Sequence, residues 1–458
     1  MRLPSYIIST MKKLLLNKNV IIRDERSFWL MFNPNNGATV KLNNDIGSHI
    51  KKTLDNDEKK LNIPNISERT IDVLNKEGFL IKDGCNKEVS LNNRVQIGER
   101  CNWVVGPQIE FSSKISPVGL LWEITNMCNL NCVYCLPNAK EKRKNNKELS
   151  ANELNTIVDN IIRAKVCRVT ISGGEALLRK DDMFQIARKL KSANIMVGAI
   201  SNGLIIDEKM ADEIKELGIL MGVSLDAPKG NINCITRGKG VFEKALTAIR
   251  LLKKRKIPFN VISTVTNINF DYLPELFLLL RSIGVTNIGL QDLKPSNPDV
   301  YEKFKLTREQ ELKINDMYAY LKSTYPEICF NDNELRIFSG LVDKNGCEDK
   351  TIMRCLAGTV TGYINSEGDM FPCTSLKSLK MGNAVEDEIT QMWQHSEAMK
   401  KLKKMKNQTT DVLSGCDQSC PIKKTCDGGC RGEAFYLNGD WSSLHPRCLK
   451  ILRYENKI

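Results

Sequence analysis

Apolar and polar positions follow three different rhythms along the chain. Between about residues 19 and 83, short apolar runs have strand length: Val20-Ile21-Ile22, Phe28-Trp29-Leu30-Met31-Phe32 and Ala38-Thr39-Val40-Lys41-Leu42. Two stretches at helical spacing follow, near 45–54 and 67–75, with polar starts at Asp45 and Ser67, and a last strand is expected at Phe79-Leu80-Ile81. This is a small strand-plus-helix module (1–95), followed by a polar linker (96–117). From 118 to about 325 strand and helix alternate. Strand runs at 118–124, 168–172, 195–200, 219–225, 258–265 and 286–290 are separated by amphipathic stretches at 151–162, 182–190, 208–217, 242–252 and 272–281. Six βα repeats predict an α/β fold, an open, partial (β/α)6 TIM barrel with its chemistry at the C-terminal ends of the strands. The remainder (326–458) is rich in Cys and Gly and poor in periodicity, so bound metal is expected to hold it together.

Composition narrows the function classes. With 458 residues, 41% hydrophobic and 26% charged, the chain reads as a multidomain globular protein and not as a disordered, collagen-like or coiled-coil one. The longest apolar runs, such as Leu276-Phe277-Leu278-Leu279-Leu280, fall far short of the roughly 20 residues that span a bilayer. Met1 to Lys13 lacks a secretory signal, so a cytoplasmic address is expected, where cysteine clusters hold metal or do catalysis and disulfides are rare. Three histidines are too few for a His-rich metal site. The net charge of +13 allows nucleic acid, yet the basic runs at Lys253-Lys254-Arg255-Lys256 and Lys400 to Lys406 lie on helical patterns and read as solvated faces. A nucleic-acid partner is therefore not expected.

Cysteine is the unusual resource, with 16 in the chain. Cys128, Cys132 and Cys135 lie within eight residues just after the first barrel strand. Three thiolates there can hold three irons of a 4Fe–4S cube and leave the fourth open to a small molecule; taken alone, the spacing serves zinc equally well.

The companion motifs separate these readings. A C-x3-C-x2-C run with an aromatic, Tyr134, before its last Cys resembles the signature of the radical S-adenosylmethionine (SAM) superfamily. Ser172-Gly173-Gly174-Glu175 follows the second strand, Ser201-Asn202-Gly203 the third, and Ser224-Leu225-Asp226 the fourth, with Arg237 thirteen residues beyond Ser224; Leu290-Gln291 ends the sixth. The resemblance implies that the Gly173-Gly174-Glu175 turn meets the methionyl amino group of SAM. It implies further that Ser224 and Arg237 bind its ribose and carboxylate, the Arg as a planar clamp, and that Leu290 touches the adenosyl group. Tyr134, Ser201, Asn202 and Asp226 join them as candidate cofactor-binding residues. A second set, Cys355, Cys373, Cys416, Cys420, Cys426, Cys430 and Cys448, with Gly382-Asn383, Trp393 and Gly428-Gly429-Cys430-Arg431, resembles the seven-cysteine SPASM domain, whose relatives hold two auxiliary 4Fe–4S clusters. Cys416-x3-Cys420 departs by one residue from the usual spacing. By similarity, one cluster takes Cys347, Cys355, Cys373 and Cys430, and the other Cys416, Cys420, Cys426 and Cys448. Cys347 lies outside the seven-residue motif. A pair of zinc ribbons is the alternative. Cys85, Cys101, Cys167, Cys234 and Cys329 are read as buried or incidental thiols.

The N-terminal module resembles the winged-helix-like, PqqD-like precursor-recognition element of ribosomal-peptide maturases, in which a leader peptide adds as a strand to a sheet edge. The combined resemblance implies a radical SAM peptide maturase using three 4Fe–4S clusters and SAM, with a precursor peptide as substrate and flavodoxin or ferredoxin as electron donor. A sactipeptide-type Cys-to-carbon thioether is the expected product, followed by other radical cross-linking. Anaerobic sulfatase maturation is the nearest rival; those enzymes carry an Asp directly after the Cys matching Cys373, where this chain has Thr374. An iron–sulfur winged-helix regulator that binds nucleic acid is the alternative of a different class.

Overall fold

The computed structural model describes residues 14–16, 20–26, 29–34, 38–55, 68–76, 78–82, 115–136, 148–331, 355–406, 413–416, 428–446 and 448. The candidate ligands Cys347, Cys420 and Cys426, and the thiols Cys85 and Cys101, lie outside them, as does most of the expected linker.

The N-terminal module contributes β1 (Leu14–Leu16), β2 (Ile21–Asp24), β3 (Trp29–Phe32), β4 (Thr39–Leu42) and β5 (Leu80–Lys82), with helices Asn44–Asp55 and Glu68–Lys76 between the last two. β2, β3 and β4 form an antiparallel sheet, and β1 pairs with β5. Side chains alternate across β3. Met31 joins Ile50, Leu74 and Phe79 in the module's own core, while Leu30 and Phe32 face the other way.

The barrel strands β6 (Gly119–Glu123), β7 (Arg168–Ser172), β8 (Met196–Ser201), β9 (Leu220–Ser224), β10 (Phe259–Val265) and β11 (Asn287–Asp292) coincide with the six expected runs and pair in parallel, in sequence order. Helices cover them, which is why strands such as β8 and β10 are buried along almost their whole length. Two covering helices start at full capping boxes, Ser150 with Glu153 and Thr307 with Gln310. The six-strand expectation is incomplete. A seventh parallel strand, β12 (Cys329–Asn331), adds beside β11, beyond the expected end of the barrel at 325; three residues are too few for a periodic signal. At the other edge β13 (Thr361–Ile364) pairs in parallel with β6, and β14 (Asp369–Phe371) and β15 (Gly382–Asn383) continue antiparallel. The C-terminal region thus extends the barrel sheet to ten strands.

The module sits at the N-terminal ends of the barrel strands. Leu30 and Phe32 pack on Val118, Cys167, Met196 and Val360, the residues that open or immediately precede β6, β7, β8 and β13. Arg23, buried, donates to Ser116 Oγ at 2.7 Å and Lys165 O at 3.0 Å, and pairs with buried Glu25 at 2.5 Å. Glu25 Oε2 in turn accepts from Ile115 N at 3.1 Å. Among the described residues no helix is long and apolar enough to cross a membrane.

Candidate functional site

At the opposite end of the strands, the loop leaving β6 carries Cys128, Cys132 and Cys135, all partly buried. The neighbouring turn holds it by backbone contacts: Gly174 N donates to Thr125 O at 2.8 Å and Glu175 N to Met127 O at 2.7 Å. This approach requires the two glycines. A Cβ on Gly174 would lie 2.2 Å from Met127 O, and one on Gly173, whose φ is +151°, would lie 2.5 Å from Thr125 O. The motif therefore lets two backbones meet, whatever ligand also rests there.

Glu175 is buried. Its oxygens accept from Leu177 N at 3.1 Å and Asn202 N at 2.8 Å. Burial pushes its carboxyl up, and those amides pull the other way. Asn202 reaches back to the cysteine loop, donating through Nδ2 to Asn129 Oδ1 at 2.7 Å, and Ser201 Oγ accepts from Gly203 N at 3.0 Å.

Asp226, beyond β9, is the centre of a second network. Arg237 donates to it from Nε at 2.8 Å and Nη2 at 3.0 Å, Thr236 Oγ1 at 3.1 Å and Thr264 N at 3.1 Å, and the Tyr134 hydroxyl also donates to it. The guanidinium lies 5.6 Å from the centroid of the Tyr134 ring, and Val133 N donates to Thr236 O at 2.9 Å. Burial disfavours the Arg237 charge, but Asp226, Tyr134 and Cys132 together outweigh it and the guanidinium stays protonated. The expected clamp residue is thus already bidentate to a carboxylate of its own chain. Only its Nη1 makes no hydrogen bond among the described residues. Ser224 is partly buried at the end of β9, whereas Leu290 is 2% exposed and belongs to the barrel core.

The donor set fits a cationic cluster. Burial raises the Cys132 thiol to about 11, helped by Asp226, Cys135 and Cys128 and opposed by Arg237. A thiol so buried resists ionising until a bound metal compensates its charge. No three His, Cys, Asp or Glu side chains among the described residues converge on a single-ion position. Asn233, which accepts from Asp226 N at 3.1 Å through Oδ1, keeps a buried Nδ2 without a partner there.

In the C-terminal region the fold brings Cys355, Cys373 and Cys430 within electrostatic reach of one another. Burial pushes the Cys373 thiol up to about 12 and the Cys430 thiol up as well. The segments carrying Cys416 and Cys448 meet where Ser414 N donates to Ser442 O at 2.9 Å. Cys167 is buried against the N-terminal module, Cys234 lies on helix Gly230–Arg237 and Cys329 on β12, away from both sets in sequence.

Several contributing residues carry no signal in the sequence. Arg179 Nη1 donates to Ile124 O at 3.3 Å and Leu149 O at 2.9 Å, Glu148 Oε1 accepts from Asn126 N at 2.8 Å, and Ser366 Oγ donates to Asn126 Oδ1 at 2.6 Å. These ties anchor the base of the cysteine loop to the turn after β13 and to the residues just before helix Ala151–Arg163. Only Asn126, two residues before Cys128, offers even proximity as a clue.

The Radical SAM superfamily profile matches residues 122–280, and that of the SPASM iron-sulfur cluster-binding domain matches 355–421. The chain is 28% identical over 350 residues to the AdoMet-dependent heme synthase of Methanosarcina barkeri, covering 73% of this chain and 97% of that one. It is also 28% identical over 342 residues to the mycofactocin maturase MftC of Mycolicibacterium smegmatis, covering 73% and 83%. Its fold is similar to that of Streptococcus suis SuiB bound to precursor peptide SuiA, with a TM-score of 0.66, 15% identity, and coverage of 95% of this chain and 99% of that one.

Proposed function

Because the chain belongs to the radical SAM superfamily and carries its SPASM iron–sulfur domain, we propose that it is a maturase that cross-links a ribosomally made precursor peptide. The observation that carries this reading is the reach of the fold likeness. The heme synthase and MftC align with 73% of the chain, whereas the likeness to SuiB, crystallised bound to precursor peptide SuiA, extends over 95%. We assign leader binding to the N-terminal module, read as winged-helix-like, which tethers the peptide and raises its effective concentration at the barrel mouth.

Cys128, Cys132 and Cys135 would hold the cluster that binds SAM. When bound, the cluster and SAM would supply one-electron radical chemistry for removing a hydrogen atom from the substrate. The chain's own residues orient that chemistry. Asp226 fixes Arg237 and Tyr134 and so holds the cysteine loop in one geometry, which costs no reorganisation at the moment of reaction. Arg237 Nη1 and the Ser224 hydroxyl are the groups left for the carboxylate and ribose of SAM. Cys355, Cys373, Cys430 and the remaining C-terminal cysteines, Cys347, Cys416, Cys420, Cys426 and Cys448, would hold two auxiliary clusters. A thioether between a peptide Cys and a carbon is the preferred product, with carbon–carbon linkage second; flavodoxin or ferredoxin is the assigned electron donor.

The test is anaerobic turnover of the reconstituted chain with SAM, reductant and each short peptide encoded beside its gene. A peptide lighter by the two hydrogens of a new cross-link, formed with 5′-deoxyadenosine, is expected. Formylglycine in a sulfatase peptide, or haem formation with no change in any peptide, would replace this reading.

A further inference from the structure

At the C-terminal end of β11 the chain passes through Leu293, packed in a cluster with Tyr134, Tyr301 and Phe304, to Lys294. The Lys294 ammonium crosses into the C-terminal region and donates to Glu433 Oε1 at 2.8 Å. Glu433 stands in the first turn of helix Arg431–Asn438, whose N-cap is Cys430, and is 1% exposed. Its Oε2 lies 3.1 Å from Nε2 of buried His445, whose carbonyl accepts from Cys448 N at 2.8 Å. A line of charged and polar groups thus runs from a barrel strand past one candidate cysteine set to the other.

Stability does not explain this arrangement. Removing charges from water costs several kcal/mol per ion, and well-packed apolar residues often replace a buried ion pair with no loss. Electrostatics does explain it. Glu433 stands in the first turn of the helix that Cys430 caps, and the Lys294 ammonium lies 2.8 Å from its carboxylate, so a negative and a positive charge both stand within about one helical turn of that cysteine. An iron–sulfur cluster bound through that sulfur becomes more negative on reduction, and its potential responds to nearby charge.

We propose that Lys294 and Glu433 set the reduction potential of the iron–sulfur cluster held by Cys355, Cys373 and Cys430, Lys294 favouring its reduced form and Glu433 its oxidised form. The barrel thereby places one of its own cations on the auxiliary site and ties the potential of that site to the seating of the two regions. The inference rests on the iron–sulfur domain and not on the peptide substrate, so a negative peptide assay leaves it standing.

The test is an electron-paramagnetic-resonance redox titration of the full, anaerobically reconstituted chain, following, among the cluster signals that added SAM does not alter, the one that Cys373→Ser changes. Lys294→Met and Glu433→Gln break the same ion pair, so a purely structural brace would affect both alike. The proposal requires opposite shifts. Lys294→Met should lower, and Glu433→Gln raise, the ratio of reduced to oxidised cluster at fixed potential by about tenfold, ~59 mV for one electron. Lys294→Arg should keep the parent potential. Shifts of the same sign, or none, overturn the proposal. Loss of auxiliary iron from Lys294→Met and Lys294→Arg alike would overturn it too, because a conserved charge would then fail to rescue the site. Absence of any such signal in the parent chain would instead remove the cluster assignment itself.

Discussion

The two ends of the barrel sheet are made from the same strands and from opposite chemistry. At the N-terminal end, Val118, Cys167, Met196 and Val360 meet Leu30 and Phe32, and one buried pair, Arg23 with Glu25, pins the contact. Large apolar side chains there are covered. At the C-terminal end, Glu175, Asn202, Asp226 and Arg237 are buried polar groups bonded across neighbouring strands, and large apolar side chains stand in water: Met127 is 36% exposed, Val133 37%, Leu178 42% and Ile235 47%. Among the described residues, the first end is closed against its own module and the second keeps apolar side chains exposed. On the proposed function, stability is gathered away from the reacting end, and the strand ends there are kept polar and preorganised.

Substitutions at the two ends should therefore fail in different assays. Cys128→Ala has the largest expected effect: release of 5′-deoxyadenosine falls below detection, while circular dichroism and the melting temperature stay at the parent values. On the proposed function, recognition and chemistry lie a full strand apart. Barrel strands of five to seven residues, at about 3.3 Å each, separate them by roughly 20 Å. Deleting about six residues between the leader and the modified core of the peptide should abolish modification without weakening binding, measured by mass spectrometry and titration calorimetry.

Arg23→Met strands buried Glu25 and should cost about 3–5 kcal/mol in urea denaturation, with SAM cleavage per folded molecule unchanged. Gly174→Ala reverses that pattern. It displaces the cysteine loop and should lower SAM cleavage about hundredfold, with iron content as a second readout. Cys167→Ala is the mildest, a loss of about 1 kcal/mol with no change in iron content or turnover. A stability loss without a turnover loss at Gly174, or the converse at Arg23, would erase the distinction between the ends.

Local pattern alone determined a good deal of this protein. Six strand runs, the helices between them apart from Gly230–Arg237, and the module's strands and helices apart from β1 were legible because each depends on the period of its own apolar residues. The cysteine loop and the Gly173-Gly174-Glu175 turn were legible because their chemistry lies in contiguous residues. Tertiary structure decided the pairings. Arg237 and Asp226 were both readable as site residues, yet only the fold shows that they neutralise each other. β13 joins β6 across more than half the chain, Lys294 meets Glu433 between regions, and Arg23 finds Ser116 and Lys165 beneath the barrel. A side chain's type and spacing state what it can bond, but the partner that satisfies a buried charge is whichever one the packed chain brings within reach.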